Sequence, residues 1–207
     1  MAPGVTLTFL RLDSDADIAL HAAEALLAPD EIARAARFRF DRDRHRYIRA
    51  RGALRQVLGQ AMDRAPESLV FTYGDRGKPA LEDGPAFNLS HSGDRGVVAL
   101  GGDAPLGVDI EKCGRKIRDL DALAERCFGA VERAAIEAAP DPLRHFLTFW
   151  TAKEARMKLT GEGLGLDPQA IHLVLDAGGR ATGFSAPDPR ARLYPFAEDD
   201  LVGAVAL

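Results

Sequence analysis

Four charged residues in the second half of this 207-residue chain are spaced in a way that chemistry could use. LGVDIE, residues 106–111, alternates as a strand does, so Val108 and Ile110 face one way while Asp109 and Glu111 face the other. The two acidic Cα atoms then lie roughly 6.5–7 Å apart on one side. Further on, FLTFWTAKEARMKLTGEG, residues 146–163, reads as an amphipathic helix. Leu143, Phe146, Leu147, Trp150 and Met157 form its apolar stripe. Glu154 falls near the middle of that stripe and Lys158 at its edge, one turn later. Glu four residues before Lys is the favoured helical ion pair, worth roughly 0.2–0.5 kcal/mol. Taking an ionised carboxylate out of water costs several kcal/mol, so that pairing alone does not account for Glu154. A bound cation or a polar cleft does. Two or three convergent carboxylates without Cys or His are the hard oxygen donors that Mg²⁺ takes, leaving positions for water and substrate phosphates.

Other stretches bear on phosphate. DRGKP, 75–79, puts Arg76 and Lys78 on a turn, and FNLSHSG, 87–93, runs a strand into a loop where Ser90 and His91 can bond phosphate oxygens. Residues 34–55 carry nine arginines against Asp41 and Asp43. The later part of this segment is helical in pattern, with Tyr47, Ala50, Leu54, Val57, Leu58 and Ala61 as its core stripe. Arg44, Arg51 and Arg55 line one border of the stripe and Arg46 the other. Clustered guanidinium forks suit phosphate oxygens, and nucleic acid would also fit such a face. Ser and His side by side on a strand point apart, and no GxSxG elbow, Walker A loop or dinucleotide GxGxxG is present.

The elements that must position these groups read as two α+β halves, residues 1–103 and 104–207. The first has a strand at 5–12, helices at 16–27 and 29–37, the basic helix at 42–62, and strands at 69–72, 86–90 and 97–100. The second has the acidic strand 106–111, helices at 119–127, 129–139 and 142–160, and strands at 171–175, 181–185 and 201–206. The order hints at a duplication, though residue-level self-similarity is too weak to read as a repeat. With 46% hydrophobic and 28% charged residues and a net charge of −4, the composition is that of a soluble globular protein. No stretch approaches the ~20 apolar residues of a membrane span, and no export signal is visible. Cys113 and Cys127 form no metal-ligand pattern, and a reduced, cytoplasmic setting is expected.

Taken in order, GKP, FNLSHSG, GVDIE and WTAKEARMKLTGEGL resemble the 4′-phosphopantetheinyl transferases of the surfactin-synthetase-activating type, over about residues 37–166. The last block looks like the branch with Ala rather than Ser after the Glu. The resemblance implies two similar α+β halves related by a pseudo-twofold, with coenzyme A in the cleft between them. It implies transfer of the phosphopantetheine arm to a serine hydroxyl of an acyl or peptidyl carrier protein, releasing adenosine 3′,5′-bisphosphate. By the same resemblance, Asp109, Glu111 and Glu154 hold Mg²⁺, for which Mn²⁺ can substitute. Lys78, Ser90, His91 and Lys158, with Arg46, Arg51 and Arg76, hold phosphates. Glu154 is the general base, unless a water beside the ion takes the serine proton. Residues 112–128, with Arg115, Lys116 and Arg118 beside Leu120, Leu123 and Phe128, are where an acidic carrier docks. A monomer is expected, with neither nucleic acid nor membrane as partner. Which carrier is served (fatty acid, polyketide or nonribosomal peptide) is not written in the sequence. A hydrolase acting on the same pyrophosphate is the rival enzyme reading. A nucleic-acid-binding module leaves Asp109, Glu111 and Glu154 without purpose and lacks an aromatic stacking platform.

Overall fold

The computed structural model describes residues 2–161 and 165–207; the end of the fourth sequence block, 162–164, lies outside the described residues. Strand β1 (Thr6–Arg11) is followed by helices α1 (Leu20–Ala25), α2 (Pro29–Ala35) and α3 (Asp41–Met62). A short 3₁₀ turn at Pro66–Ser68 leads into β2 (Phe71–Tyr73), β3 (Pro79–Leu81), β4 (Phe87–Ser92) and β5 (Arg95–Leu100). The second half repeats this order: β6 (Gly107–Lys112), α4 (Leu120–Cys127), α5 (Ala130–Ala138) and α6 (Pro142–Thr160). A 3₁₀ turn at Pro168–Ala170, then β7 (His172–Leu175), β8 (Ala181–Ala186), β9 (Leu193–Glu198) and β10 (Leu201–Ala206), completes it.

The sheets repeat as well. One has the order β1-β5-β4 and the other β6-β10-β9, both antiparallel, and each half adds a separate hairpin, β2-β3 or β7-β8. Val97, Ala99, Val108, Ile110, Leu201 and Val205 form the core between the two sheets, while each long helix closes a further core of its own half. α6 lies on β6, and Gly107 permits it. A Cβ added there would sit 2.1 Å from the Ala155 carbonyl oxygen and 2.4 Å from the Leu159 nitrogen, so only glycine lets helix and strand backbones touch.

Several expectations need adjusting. β3 falls on residues that read as a turn around Lys78 and Pro79, and β9 contains Pro195, which is compatible with its place at a sheet edge. Ala61, placed in the core stripe of the basic helix, is exposed, whereas Arg51 and Arg55 are buried. Their guanidinium groups flank Glu31, at 2.5 and 2.6 Å, and both lie over the Phe71 ring. Arg55 also donates to the Pro66 and Leu69 carbonyls.

Candidate active site in the seam between the sheets

β4 and β6 are outer strands of their own sheets, yet they run side by side. β6 spends alternate backbone groups on β10, which would leave the amides of Val108, Ile110 and Lys112 without partners. Side chains of β4 supply them. Asn88 Oδ1 accepts from Val108 N (2.9 Å), Ser90 Oγ from Ile110 N (3.3 Å) and Ser92 Oγ from Lys112 N (3.2 Å). The serine hydroxyls donate in turn to the acidic side chains of β6. Ser90 donates to Asp109 Oδ1 at 2.7 Å, and Ser92 donates to Glu111 Oε2.

α6 brings the remaining groups over this seam. Asp141 caps its start by accepting from Arg144 N (3.0 Å), Pro142 occupies the first turn, and Gly161, at φ 75°, ends it. Lys158 Nζ lies 2.7 Å from Asp109 Oδ1 and 2.9 Å from Ser90 Oγ. Glu154, one turn earlier, has no hydrogen bond or ion pair within the described residues. Its pKa is pushed up to about 7, first by burial and then by the charge of Asp109, with Glu111 adding and Lys158 opposing. Burial also raises the Glu111 carboxyl, against the Ser92 hydrogen bond and the Arg115 guanidinium. Three carboxylates therefore feel one another across the seam. Among the described residues no three acidic, His or Cys side chains stand close enough to hold an ion as they are. Lys158 and Arg115 lie against Asp109 and Glu111, and closing the carboxylates on an ion takes side-chain rotation.

The phosphate candidates separate into groups. Ser90 and Lys158 are at the centre. His91 is beside them with part of its ring accessible. Its pKa is lowered by burial and by the charge of Lys158, so the ring stays neutral through physiological pH. Arg76 and Lys78 line a cavity of about 280 Å³ together with Asn88, Glu154 and Lys158. The Lys78 ammonium is already engaged, with Leu106 O at 2.9 Å, Lys158 O at 2.6 Å and Leu159 O at 3.1 Å. It caps the C-terminus of α6, and a phosphate there must displace a carbonyl. Arg46 pairs with Asp13 and contributes to the positive field on His91. Arg51 is turned inward onto Glu31 and is not brought to the cleft. Of the residues expected to meet a carrier, Arg115, Lys116 and Arg118 are exposed, Leu120 and Leu123 half-buried, and Phe128 buried in the core.

A second cavity, about 530 Å³, opens on the far side of Gly77, which lines both. Arg34, Arg37, Phe38, Tyr47 and Tyr73 wall it. The sequence groups these arginines by charge and places Tyr47 in the core stripe, whereas Tyr47 is half-buried and lines this cavity with Phe38 and Tyr73. Phe38 and Tyr47 meet with tilted rings at 5.3 Å and Arg34 lies over Tyr47, and the signal available was the spacing of aromatic and basic residues in 34–47.

Comparison with known proteins agrees with this geometry. Residues 15–102 match the family model described as 4′-phosphopantetheinyl transferase, N-terminal, and residues 105–206 match that of the 4′-phosphopantetheinyl transferase superfamily. The chain is 40% identical over 147 residues to the 4′-phosphopantetheinyl transferase HetI of Nostoc sp., covering 68% of this chain and 62% of HetI. It is 36% identical over 164 residues to psf-1 of Bacillus pumilus, covering 77% of this chain and 68% of psf-1. Identity to Sfp of Bacillus subtilis is lower, 28% over 174 residues, covering 82% and 75%. The match thus spans about three fifths of HetI. With two sheets meeting at an acidic seam, and these matches running through both halves, the chain belongs to the 4′-phosphopantetheinyl transferase superfamily.

Proposed function

We propose that this protein transfers the 4′-phosphopantetheine arm of coenzyme A to a serine hydroxyl of an acyl or peptidyl carrier protein. The observation that carries the reading is the placement of Glu154 and Lys158 over Asp109 and Ser90, at the end of a basic, aromatic-walled trough. The two cavities meet at Gly77. Coenzyme A fits that trough with its nucleotide among Arg34, Arg37, Tyr47 and Tyr73 and its pyrophosphate towards Arg76 and Lys158. The smaller cavity is lined from both halves, 1–103 and 104–207, and the larger from the first half alone, so a monomer suffices.

Asp109, Glu111 and Glu154 supply only hard oxygens, and their mutual repulsion is relieved by a divalent cation, so the donor set fits Mg²⁺. When bound, the ion supplies charge neutralisation at the pyrophosphate. The chain's own residues do the rest. Lys158 has two donors on Asp109 and Ser90 and a third free to reach the bridging oxygen that leaves with adenosine 3′,5′-bisphosphate. Glu154, over the seam beside Lys158, accepts the serine proton directly or through water; its raised pKa belongs to the metal-free site, and a cation on the same carboxylate would lower it. The nucleophile arrives on the carrier, which explains why the site has no activated Ser or Cys. Carrier docking on residues 112–128, beside Glu111, and action in the cytoplasm complete the reading.

Incubation with coenzyme A, Mg²⁺ and an apo carrier protein, followed by mass spectrometry of the carrier, tests it. Addition of the arm to the carrier serine is expected. Release of phosphopantetheine without any adduct, across a panel of fatty acid, polyketide and peptide carriers, would replace transfer by hydrolysis.

A further inference from the structure

Nothing so far assigns a role to Ser92, although the β4–β6 seam gives it the same arrangement as Ser90. Each serine accepts the amide of the residue that follows a carboxylate and donates its own proton to that carboxylate: Ser90 with Ile110 and Asp109, Ser92 with Lys112 and Glu111. The pattern repeats every two residues because both strands alternate in step.

The duplicated fold provides an internal control. Matching β5 to β10 by register places Tyr194, Phe196 and Glu198 of β9 where β4 has Asn88, Ser90 and Ser92. β9 stands opposite β1, the counterpart of β6. Phe9 meets Phe196 edge to face at 5.9 Å, but the two strands stay apart and line a cavity of about 480 Å³, whose wall also includes Thr6, Tyr194 and Glu198. That side does not close as the β4–β6 side does. The paired serine–carboxylate contacts occur on the side that carries Asp109 and Glu111.

We infer that Ser92 is a positioning residue for Glu111, fixing that carboxylate's orientation for cation binding while closing the seam. The inference rests on the metal reading given above. Ser92 holds Oε2, and among the described residues Oε1 is shared only with Arg115, whose side chain is 46% exposed and can swing away. Without the hydroxyl, Glu111 is left to the mobile arginine and its two oxygens become free to rotate. Partners that orient a metal ligand typically account for 10–100-fold in metal affinity.

Mn²⁺ titration of the full chain without coenzyme A, read by the electron paramagnetic resonance of free Mn²⁺, tests this, with thermal unfolding in chelator measured alongside. Ser92→Ala is expected to weaken Mn²⁺ binding about 10–100-fold, and Ser92→Thr, which keeps the hydroxyl, to stay within about threefold of wild type. In a Glu111→Ala background Ser92→Ala should cause no further loss. Should Ser92→Ala not fold, Ser92→Cys, which keeps the volume and weakens the hydrogen bonds, is read in its place. Wild-type Mn²⁺ affinity in the variant, even with a lowered melting temperature, would reduce Ser92 to a seam-closing group and overturn the inference. So would an undiminished loss in the Glu111→Ala background. Absence of saturable Mn²⁺ binding by wild type would remove the metal reading itself, and the inference with it.

Discussion

Replacing Glu154 by Gln should make the metal-free protein more stable, and only at neutral and alkaline pH. The Glu154 carboxyl is raised from its ordinary 4.5 to about 7, mainly because it is buried and then because Asp109 faces it. The folded state therefore binds this proton more tightly than the unfolded chain does. Below pH 4.5 the group is protonated in both states, and any benefit of its neutral form is complete. Between 4.5 and about 7 that benefit is lost as pH rises, and above 7 an ionised, crowded carboxylate burdens the fold. At 1.36 kcal/mol per pKa unit the upper bound is about 3.4 kcal/mol; partial contact with solvent lowers the expected effect to about 1–2 kcal/mol. For a chain of this size that is a rise of about 3–6 °C in melting temperature. Urea denaturation of wild type and Glu154→Gln in excess chelator at pH 8 and pH 4.5 provides the measurement. The other titrating groups are common to both proteins, so the difference reports Glu154 together with its coupling to Asp109, Glu111 and Lys158. Equal stability at pH 8, or a gain of the same size at pH 4.5, would refute the reasoning.

Lys158→Met should lower turnover by about 10²-fold and at the same time tighten Mn²⁺ binding by about tenfold, since a charge-assisted contact on Asp109 is removed. Weaker Mn²⁺ binding would show that the ammonium does not compete for Asp109. Gly107→Ala should cost about 3 kcal/mol or more, because its Cβ has no room against Ala155 and α6 must lift from β6; near-wild-type urea unfolding would contradict that packing. Glu31→Gln should cost about 3–5 kcal/mol by stranding the buried Arg51 and Arg55 guanidinium groups, with the urea midpoint as readout, and a loss under 1 kcal/mol would return Arg51 to the phosphate site.

Much of the candidate site was legible because its residues lie within short periodic segments. Asp109 and Glu111 share a strand face, and Glu154 and Lys158 share a helical stripe, so alternation and the 3.6-residue period suffice to group them. Helix α6 begins and ends where Pro142 and Gly161 mark it. Arg51 points elsewhere than the helical wheel suggests for a physical reason. A helical wheel gives direction but not what stands opposite, and Glu31, which draws Arg51 inward, is 20 residues away on another helix. Lys78 is similar: its three carbonyl partners belong to two elements that meet the 75–79 turn only in the folded chain. β9 went unread because Pro195 breaks the alternating pattern, and only its edge position excuses the missing amide.

The duplication was faint in the sequence because the two halves conserve an arrangement rather than residue types. Glu31 and Glu132 each occupy the third position of the second helix of their half, and each accepts from the backbone amide before that helix at 2.9 Å. Each is buried against a cation from the long helix: Arg55 at 2.6 Å in the first half, Lys153 at 2.8 Å in the second. Both cations also donate, at 3.0 Å, to the carbonyl of the proline that opens the following 3₁₀ turn, Pro66 or Pro168. Arg55 and Lys153 are thus equivalent, and counting onward places Gln56 and Gln60 where the second half has Glu154 and Lys158. Both glutamines are exposed. The clamp is common to both halves and the Glu154–Lys158 pair is not, so Lys153, although adjacent to Glu154, belongs with the helix-holding clamp. The fold thus repeats the clamp but not the seam: β4 and β6 close on hydroxyls, carboxylates and an ammonium, whereas β1 and β9 meet through Phe9 and Phe196 and leave a cavity between them.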